Sequence, residues 1–468
     1  VAKIVAYETD PPRDDTDWFE RGLVVGDPED SGISTVYCAR WLSDQLYGAG
    51  YERVYTIFAG NFVDQMIAEI EAGRSVFGYR GFYGMSGFNY GHATILTNGG
   101  RLPFSVFPTC DTGSFLSDTT CRSEAFLRNP GGGANGAVGT ATSGTHTRYN
   151  NCFFYGVFEG LLNGSDHRQG VAMSRSSLEL YRQYGVDEPH IPEIWSVWNS
   201  LMGDPATDIW LGIPGELEVS YPAGLPLGAG AVPVTVTSGG VPVADANVAA
   251  FQDDHLRSVG LTDADGRALL PIDGAIAGTV RLTVSGHNLL PHRGYFEVAD
   301  QEHWVALDSH QLDPDGDGMA SAAETAPLEL TLRNLGQQPA EQVTATVVSR
   351  SAWIQVSPEP VDFGTIAAGG TAVGATTVQV TAAANAPEGT VCQLGVTVTS
   401  TAGSWESQLG FTLAGSDLAV GQLSFSAGTV EPGTSTEITV SVLNDGNLTM
   451  GGSQASLRSR SLWVSITD

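Results

Sequence analysis

Apolar residues recur along this chain in two rhythms, and the change from one to the other divides it. Over 34–47 the apolar positions include Tyr37, Trp41 and Leu42, the spacing of an amphipathic helix. The run RVYTIF (53–58) reads as a strand, and 61–72 as a second helix with Phe62, Met66, Ile67 and Ile70 on one stripe. Strand-like SVFGY (75–79), LPFSVF (102–107) and GAVGTA (136–141) follow. Helical segments near 121–128 and 150–162 trail the last two. Strands alternating with helices predict an α/β unit over 1–213, with a mainly parallel sheet covered on both faces. In such sheets the loops beyond the carboxyl ends of the strands form the site.

After Pro214 helical periodicity stops. Short alternating runs replace it, among them VPVTVTS, GTVRLTVSG, LELTLRN, VTATVVS and EITVSVLN, with Gly, Pro, Asp and Asn clustered between them. That pattern predicts all-β sandwich modules. The segments 328–347 and 436–457 resemble each other, each with an Asn-x-Gly turn between strands, so at least two modules are related. The expected boundaries give sandwiches over 214–300 and 301–414 and a partial module over 415–468. The acidic turn Asp263-Ala264-Asp265-Gly266 reads as a hairpin.

Composition narrows the function. A length of 468 residues calls for several domains, and a charged fraction of 16% argues against wholesale disorder. The formal charge of −30 makes a nucleic-acid partner a poor fit, because such a surface repels phosphate backbones. No apolar run approaches the ~18 residues of a membrane span. The opening VAKIVAYE and the close VSITD interrupt patterns in progress, which suggests a piece of a longer protein. The five cysteines (Cys38, Cys110, Cys121, Cys152 and Cys392) are too few for a disulfide scaffold.

Cys110 carries the chemistry. In LPFSVFPTCDTGSF (102–115) it sits just past a buried-type strand, among small turn-forming residues whose backbone N–H groups could stabilise an oxyanion. A lone cysteine more often serves as a small buried hydrophobe, and the spacing to Cys121 also permits a Cys110–Cys121 disulfide. Resemblance favours the nucleophile. YETDPPRDDTDW (7–18), LPFSVFPTCDTGSF, CRSEAFLRN (121–129), GAVGTATSGT (136–145) and IWSVWNSLMGDPATDIWLGIP (194–214) occur in the order found in gingipain-like cysteine peptidases. The resemblance implies a caspase-like three-layer catalytic subdomain without its upstream partner subdomain, followed by Ig-like modules. It also implies a protein or peptide substrate and a secreted or cell-surface location, with other extracellular proteins as further partners.

The general base is where the chain departs from that family. The family's histidine follows a Tyr-x-Gly; here Tyr79-Arg80-Gly81 leads to Phe82, which cannot accept a proton. His146, after the strand 136–141, is the expected substitute base, and His92 is a second possibility. Arg80, Gly81, Phe82 and Asp111 are oxyanion or pocket candidates. Arg80 could also lower the thiol pKa, form an ion pair or recognise an acidic group. Two functions stay open: a secreted cysteine endopeptidase with adhesion-type modules, or a pseudopeptidase serving as a binding or structural scaffold.

A second motif points to calcium. Asp313, Asp315 and Asp317, with Gly318 for the turn, Met319 offering its carbonyl and Glu324 closing, match the spacing of a calcium loop. The flanks read as strand and loop, so the expected role of Ca²⁺ is structural.

Overall fold

Leu23, Val24 and Val25 are consecutive and all fully buried, which requires a strand enclosed on both faces. This strand, β1 (Arg21–Gly26), lies inside a six-stranded sheet that organises the first half of the molecule. The computed structural model describes residues 1–116, 120–313, 316, 318–415, 418–426, 431–444, 456–459 and 464–467. The remaining strands of the sheet are β2 (Arg53–Ile57), β3 (Val76–Arg80), β4 (Phe104–Val106), β5 (Gly136–Thr140) and β6 (Asn199–Met202), in the order β2-β1-β3-β4-β5-β6. The first five run parallel, and β6 closes the edge antiparallel to β5.

The helices are α1 (Ala2–Thr9), α2 (Ser34–Gly48), α3 (Phe62–Glu71), α4 (Tyr90–Thr94), α5 (Arg122–Arg128), α6 (Thr147–Asn163), α7 (Gln169–Tyr184) and α8 (His190–Trp198). Side chains alternate across each strand, so neighbouring residues enter opposite layers. Val24, Val76, Phe104 and Val138 pack with Leu42 of α2 and Phe153 and Phe154 of α6. Leu23, Val25, Phe77 and Ala137 pack with Met66 and Ile70 of α3 and Phe126 of α5. The result is three layers, as the alternating pattern predicts.

Beyond Met202 the chain returns to the N-terminus. Trp210 donates its indole N–H to the Tyr7 carbonyl at 3.0 Å, and its backbone N–H goes to the Tyr7 hydroxyl at 3.0 Å. Trp18, Phe19 and Leu102 complete this buried cluster. Lys3, the single lysine, donates to the carbonyls of Phe126, Asn129 and Gly132 at 2.9–3.1 Å and so ties α1 to the end of α5.

The following residues form two-sheet sandwiches. The first core runs from Leu225 to Trp304 and draws on strands Ala231–Ser238 and Arg267–Pro271 of one sheet. Its other sheet contributes Asn247–Gln252, Gly278–Gly286 and Leu289–Val298. The second core runs from Val305 to Leu413, and the half-buried Trp405 touches both. A two-stranded ribbon, Leu418–Phe425 with Ile438–Asn444, follows.

The acidic turn at 263–266 is not a hairpin. The strand before it (His255–Leu261) and the strand after it (Arg267–Pro271) pair into opposite sheets of the first sandwich. Asp263 shapes this crossing by accepting from Asp265 N–H at 3.0 Å and Arg267 N–H at 2.9 Å, with Gly266 at φ +70°. Local sequence dictates the turn, whereas the pairing of its flanks depends on residues far away. Similarly, Asn334 of the Asn-x-Gly turn joins strands in different sheets. It is fully buried, donating to the carbonyls of Gln338 and Ile366 and accepting from Gly336 N–H.

Candidate active site

The chain leaves β4 at Val106 and passes through Phe107, Pro108 and Thr109 to Cys110, which is half-buried at the carboxyl edge of the parallel sheet. The loop is pinned from below. Thr112 donates its hydroxyl to the carbonyls of Thr109 and Phe107 and accepts from Thr140 N–H at 3.0 Å. Gly113 donates its N–H to the Thr140 carbonyl at 3.0 Å and lies directly on Gly139 of β5. A Cβ on Gly113 would stand 2.7 Å from the Gly139 carbonyl carbon, so glycine is needed for this contact.

From the other side, Arg80 at the end of β3 reaches under the loop and is 1% exposed. Its guanidinium donates to Asn151 Oδ1 at 2.8 Å, Thr109 Oγ1 at 3.3 Å, the Thr147 carbonyl at 3.5 Å and the Pro108 carbonyl. Burial draws its pKa down to about 10, and the oxygens that receive its hydrogen bonds carry no formal charge. Among the described residues Arg80 forms no ion pair, and a side chain this enclosed does not meet an acidic substrate.

Gly81 is held where it is by lack of space, because a Cβ there would stand 2.6 Å from Asp27 Cβ and 2.7 Å from the Tyr79 hydroxyl. Its carbonyl accepts from Thr109 O–H at 3.2 Å and Ser31 O–H at 3.1 Å. Phe82 follows, half-buried, its carbonyl taken by the Tyr79 hydroxyl at 3.2 Å. Asp111 has φ +65°. Its N–H donates to the Thr142 carbonyl at 2.9 Å and its carboxylate accepts from the Tyr83 hydroxyl at 3.1 Å. Asp111 N–H is thus committed within the protein, while Cys110 N–H has no partner among the described residues.

Cys110 Sγ lies 2.8 Å from Thr145 Oγ1, in the loop between β5 and α6. His146, the next residue, is exposed and caps α6, its Nδ1 accepting from Arg148 N–H at 3.3 Å. The structure thus brings His146 to the loop that touches the sulfur, with the hydrogen bond itself made by Thr145. His92 is a cap as well. Its ring accepts from Asn89 N–H at 3.1 Å in a reciprocal capping box. Cys121 is a free thiol 3.4 Å from Ser123 Oγ, so no Cys110–Cys121 disulfide exists.

Thr145, Asn150 and Trp195 escaped sequence reasoning. Asn150 donates to Thr145 Oγ1 at 2.9 Å, and Trp195 Nε1–H donates to Asn150 Oδ1 at 2.8 Å. A polar Asn150 facing a helix-rich interior is the single sequence signal that could have flagged this connection.

Of the calcium-type residues, Asp315 and Asp317 lie outside the described residues. Gly318 has φ +77°, as a sharp turn demands. Glu324 Oε2 accepts from Ser321 N–H at 2.8 Å and Ser321 O–H at 2.7 Å. Asp313 and Met319 flank the same turn.

Residues 1–210 match the sequence profile of Peptidase family C25. Gingipain R2 of Porphyromonas gingivalis is 23% identical over 317 residues, which cover 62% of this chain and 40% of that protein. Gingipain R1 of the same organism is also 23% identical over 317 residues, covering 30% of its own length. The chain thus spans well under half the length of these curated relatives. Among solved structures, the Arg-specific cysteine proteinase gingipain R superposes with a TM-score of 0.56 at 20% identity, over 64% of this chain and 71% of that one. This likeness extends to the fold.

Proposed function

We propose, from the membership of residues 1–210 in peptidase family C25, that the protein is a cysteine endopeptidase with Cys110 as nucleophile. Its substrates are proteins or peptides met outside the cell or at its surface. One observation carries the reading: a half-buried thiol stands at the carboxyl edge of the parallel sheet, on a loop clamped by Thr112, Gly113 and Arg80. Cys110 Sγ adds to the scissile carbonyl carbon, and Cys110 N–H stabilises the oxyanion. While His146 caps α6 its Nδ1 lone pair is engaged and its proton sits on Nε2, so it acts with the ring released from the cap, taking the Cys110 thiol proton on Nδ1 and passing it to the departing amine. Water then releases the acyl group from sulfur.

The test is labelling with a peptidyl covalent cysteine-peptidase probe. Wild type should label, Cys110→Ala should not, and His146→Ala should slow labelling or turnover by about a hundredfold, as expected for loss of a general base. Equal labelling of wild type and Cys110→Ala would end the proposal.

Phe82 favours a second reading, a pseudopeptidase whose fold serves as a binding or structural scaffold. It stands half-buried right after Tyr79-Arg80-Gly81, where the family resemblance places histidine. Phe82→His separates the two readings. A silent wild type that gains turnover with this substitution supports the scaffold reading, and a wild type that already cleaves peptides removes it.

The sandwiches then act as Ig-like adhesion units, with Ca²⁺ stiffening the turn that enters the strand Thr325–Asn334 of the second one. Asp313, Asp315, Asp317, the Met319 carbonyl and Glu324 would supply a hard oxygen set for it. Adding millimolar Ca²⁺ should raise the melting temperature, and Asp317→Ala should abolish the rise. An unchanged melting curve for wild type would remove the ion from the account.

A further inference from the structure

We infer that Thr145 is a catalytic residue and that Asn150 and Trp195 position it, forming a one-way chain of hydrogen-bond donors that ends on the sulfur of Cys110. This rests on the reading of Cys110 as nucleophile and adds a source of activation that the missing histidine does not provide.

Direction follows from donor chemistry. An indole N–H can only donate, so the 2.8 Å contact from Trp195 Nε1 fixes the Asn150 atom it meets as the carbonyl oxygen. The Asn150 amide cannot flip without setting two donors against each other. Its NH₂ group is therefore turned toward Thr145, donating to Oγ1 at 2.9 Å. A hydroxyl that accepts on one side keeps its single hydrogen for another partner. Its contact is Cys110 Sγ at 2.8 Å, where either atom can donate while the thiol is neutral and only Thr145 can once the sulfur is a thiolate.

Burial makes the chain rigid. Asn150 is 3% exposed and Trp195 4% exposed, so solvent does not compete for either link. Tyr149 and Trp198 pack against the Trp195 ring, at centroid distances of 4.7 and 4.8 Å. The three residues come from the β5–α6 loop, α6 and α8, so helix packing is converted into a donor aimed at one atom. A donated O–H holds the sulfur in one rotamer and favours negative charge on it as the nucleophile forms. A merely structural thiol has no such requirement.

The test uses the full chain and iodoacetamide at one fixed pH, with the modified cysteine located by mass spectrometry. Thr145→Val keeps the shape and removes the O–H, so the Cys110 alkylation rate should fall about tenfold or more, the scale of a hydrogen bond to a charged group. Thr145→Ser keeps the O–H and should hold the rate close to wild type. Trp195→Phe should give an intermediate fall, with its melting temperature recorded alongside. A fast Cys110 whose rate survives Thr145→Val, or one slowed equally by valine and serine, overturns this inference alone. A wild-type Cys110 no faster than free cysteine sinks the nucleophile reading and this inference with it.

Discussion

Arg80 shows how much of a site can rest on one side chain that never touches substrate. Its guanidinium is enclosed, faces oxygens without formal charge, and links the strand end, the nucleophile loop and the first turn of α6. Replacing it with methionine keeps the apolar stem but strands the Pro108 carbonyl and Asn151 Oδ1. Arg80→Met should cost about 2–4 kcal/mol of stability, read from urea denaturation, because buried acceptors lose their donors. An unshifted midpoint would mean that water takes over those contacts. Burial sets the folded pKa below the unfolded one, so between about pH 10 and the unfolded value the unfolded chain binds more protons. The Arg80 contribution therefore grows as pH rises through that window and is constant below it. From sequence, Cys110 was legible because its neighbours form a recognisable segment. Thr145, Asn150 and Trp195 were not, since their link joins positions 45 residues apart.

Strands were legible as short apolar runs between turn residues, and helices where apolar residues recur on one stripe. The stretches 53–58, 102–107 and 136–141 became parallel strands shortened at their ends, and 75–79 became one moved by a single residue to Val76–Arg80. The strand β1 escaped although it is no more enclosed than β3 and β5, which were read as strands. The helix α7 escaped because its buried stripe is Gln169, Ala172, Ser176 and Leu180, three of them small or polar. Such a stripe permits close approach, as at Gly156 and Gly160 of α6, where a Cβ would stand 2.6 Å from Ser176 Cα and 2.5 Å from Arg175 Cβ. The same kind of contact fixes the nucleophile loop against β5. Gly113→Ala should therefore lower stability by about 1–3 kcal/mol, the usual cost of overpacking. It should also slow probe labelling of Cys110 by displacing the loop. Normal labelling at normal stability would show that the loop can slide on β5.

At the scale of the whole molecule, the switch in hydrophobic rhythm after Pro214 was the most readable feature, because it reflects two kinds of layer rather than any one contact. What the pattern could not reveal is how the layers join. Leu211 N–H donates to Asn288 Oδ1 at 2.9 Å, and Gly215 N–H to the Asn288 carbonyl at 2.9 Å. His287 stacks on His167 at a centroid distance of 3.8 Å while its Nδ1 meets Asp208 at 3.0 Å. Leu290 leans on the cluster that holds Tyr7 and Trp210. A cut placed at Pro214, where the sequence pattern changes, would bare an aromatic seam and orphan the Leu211 N–H. For anyone dissecting this protein, the smallest piece that keeps the α/β unit properly closed therefore runs on to about Trp304, with the first sandwich serving as its lid.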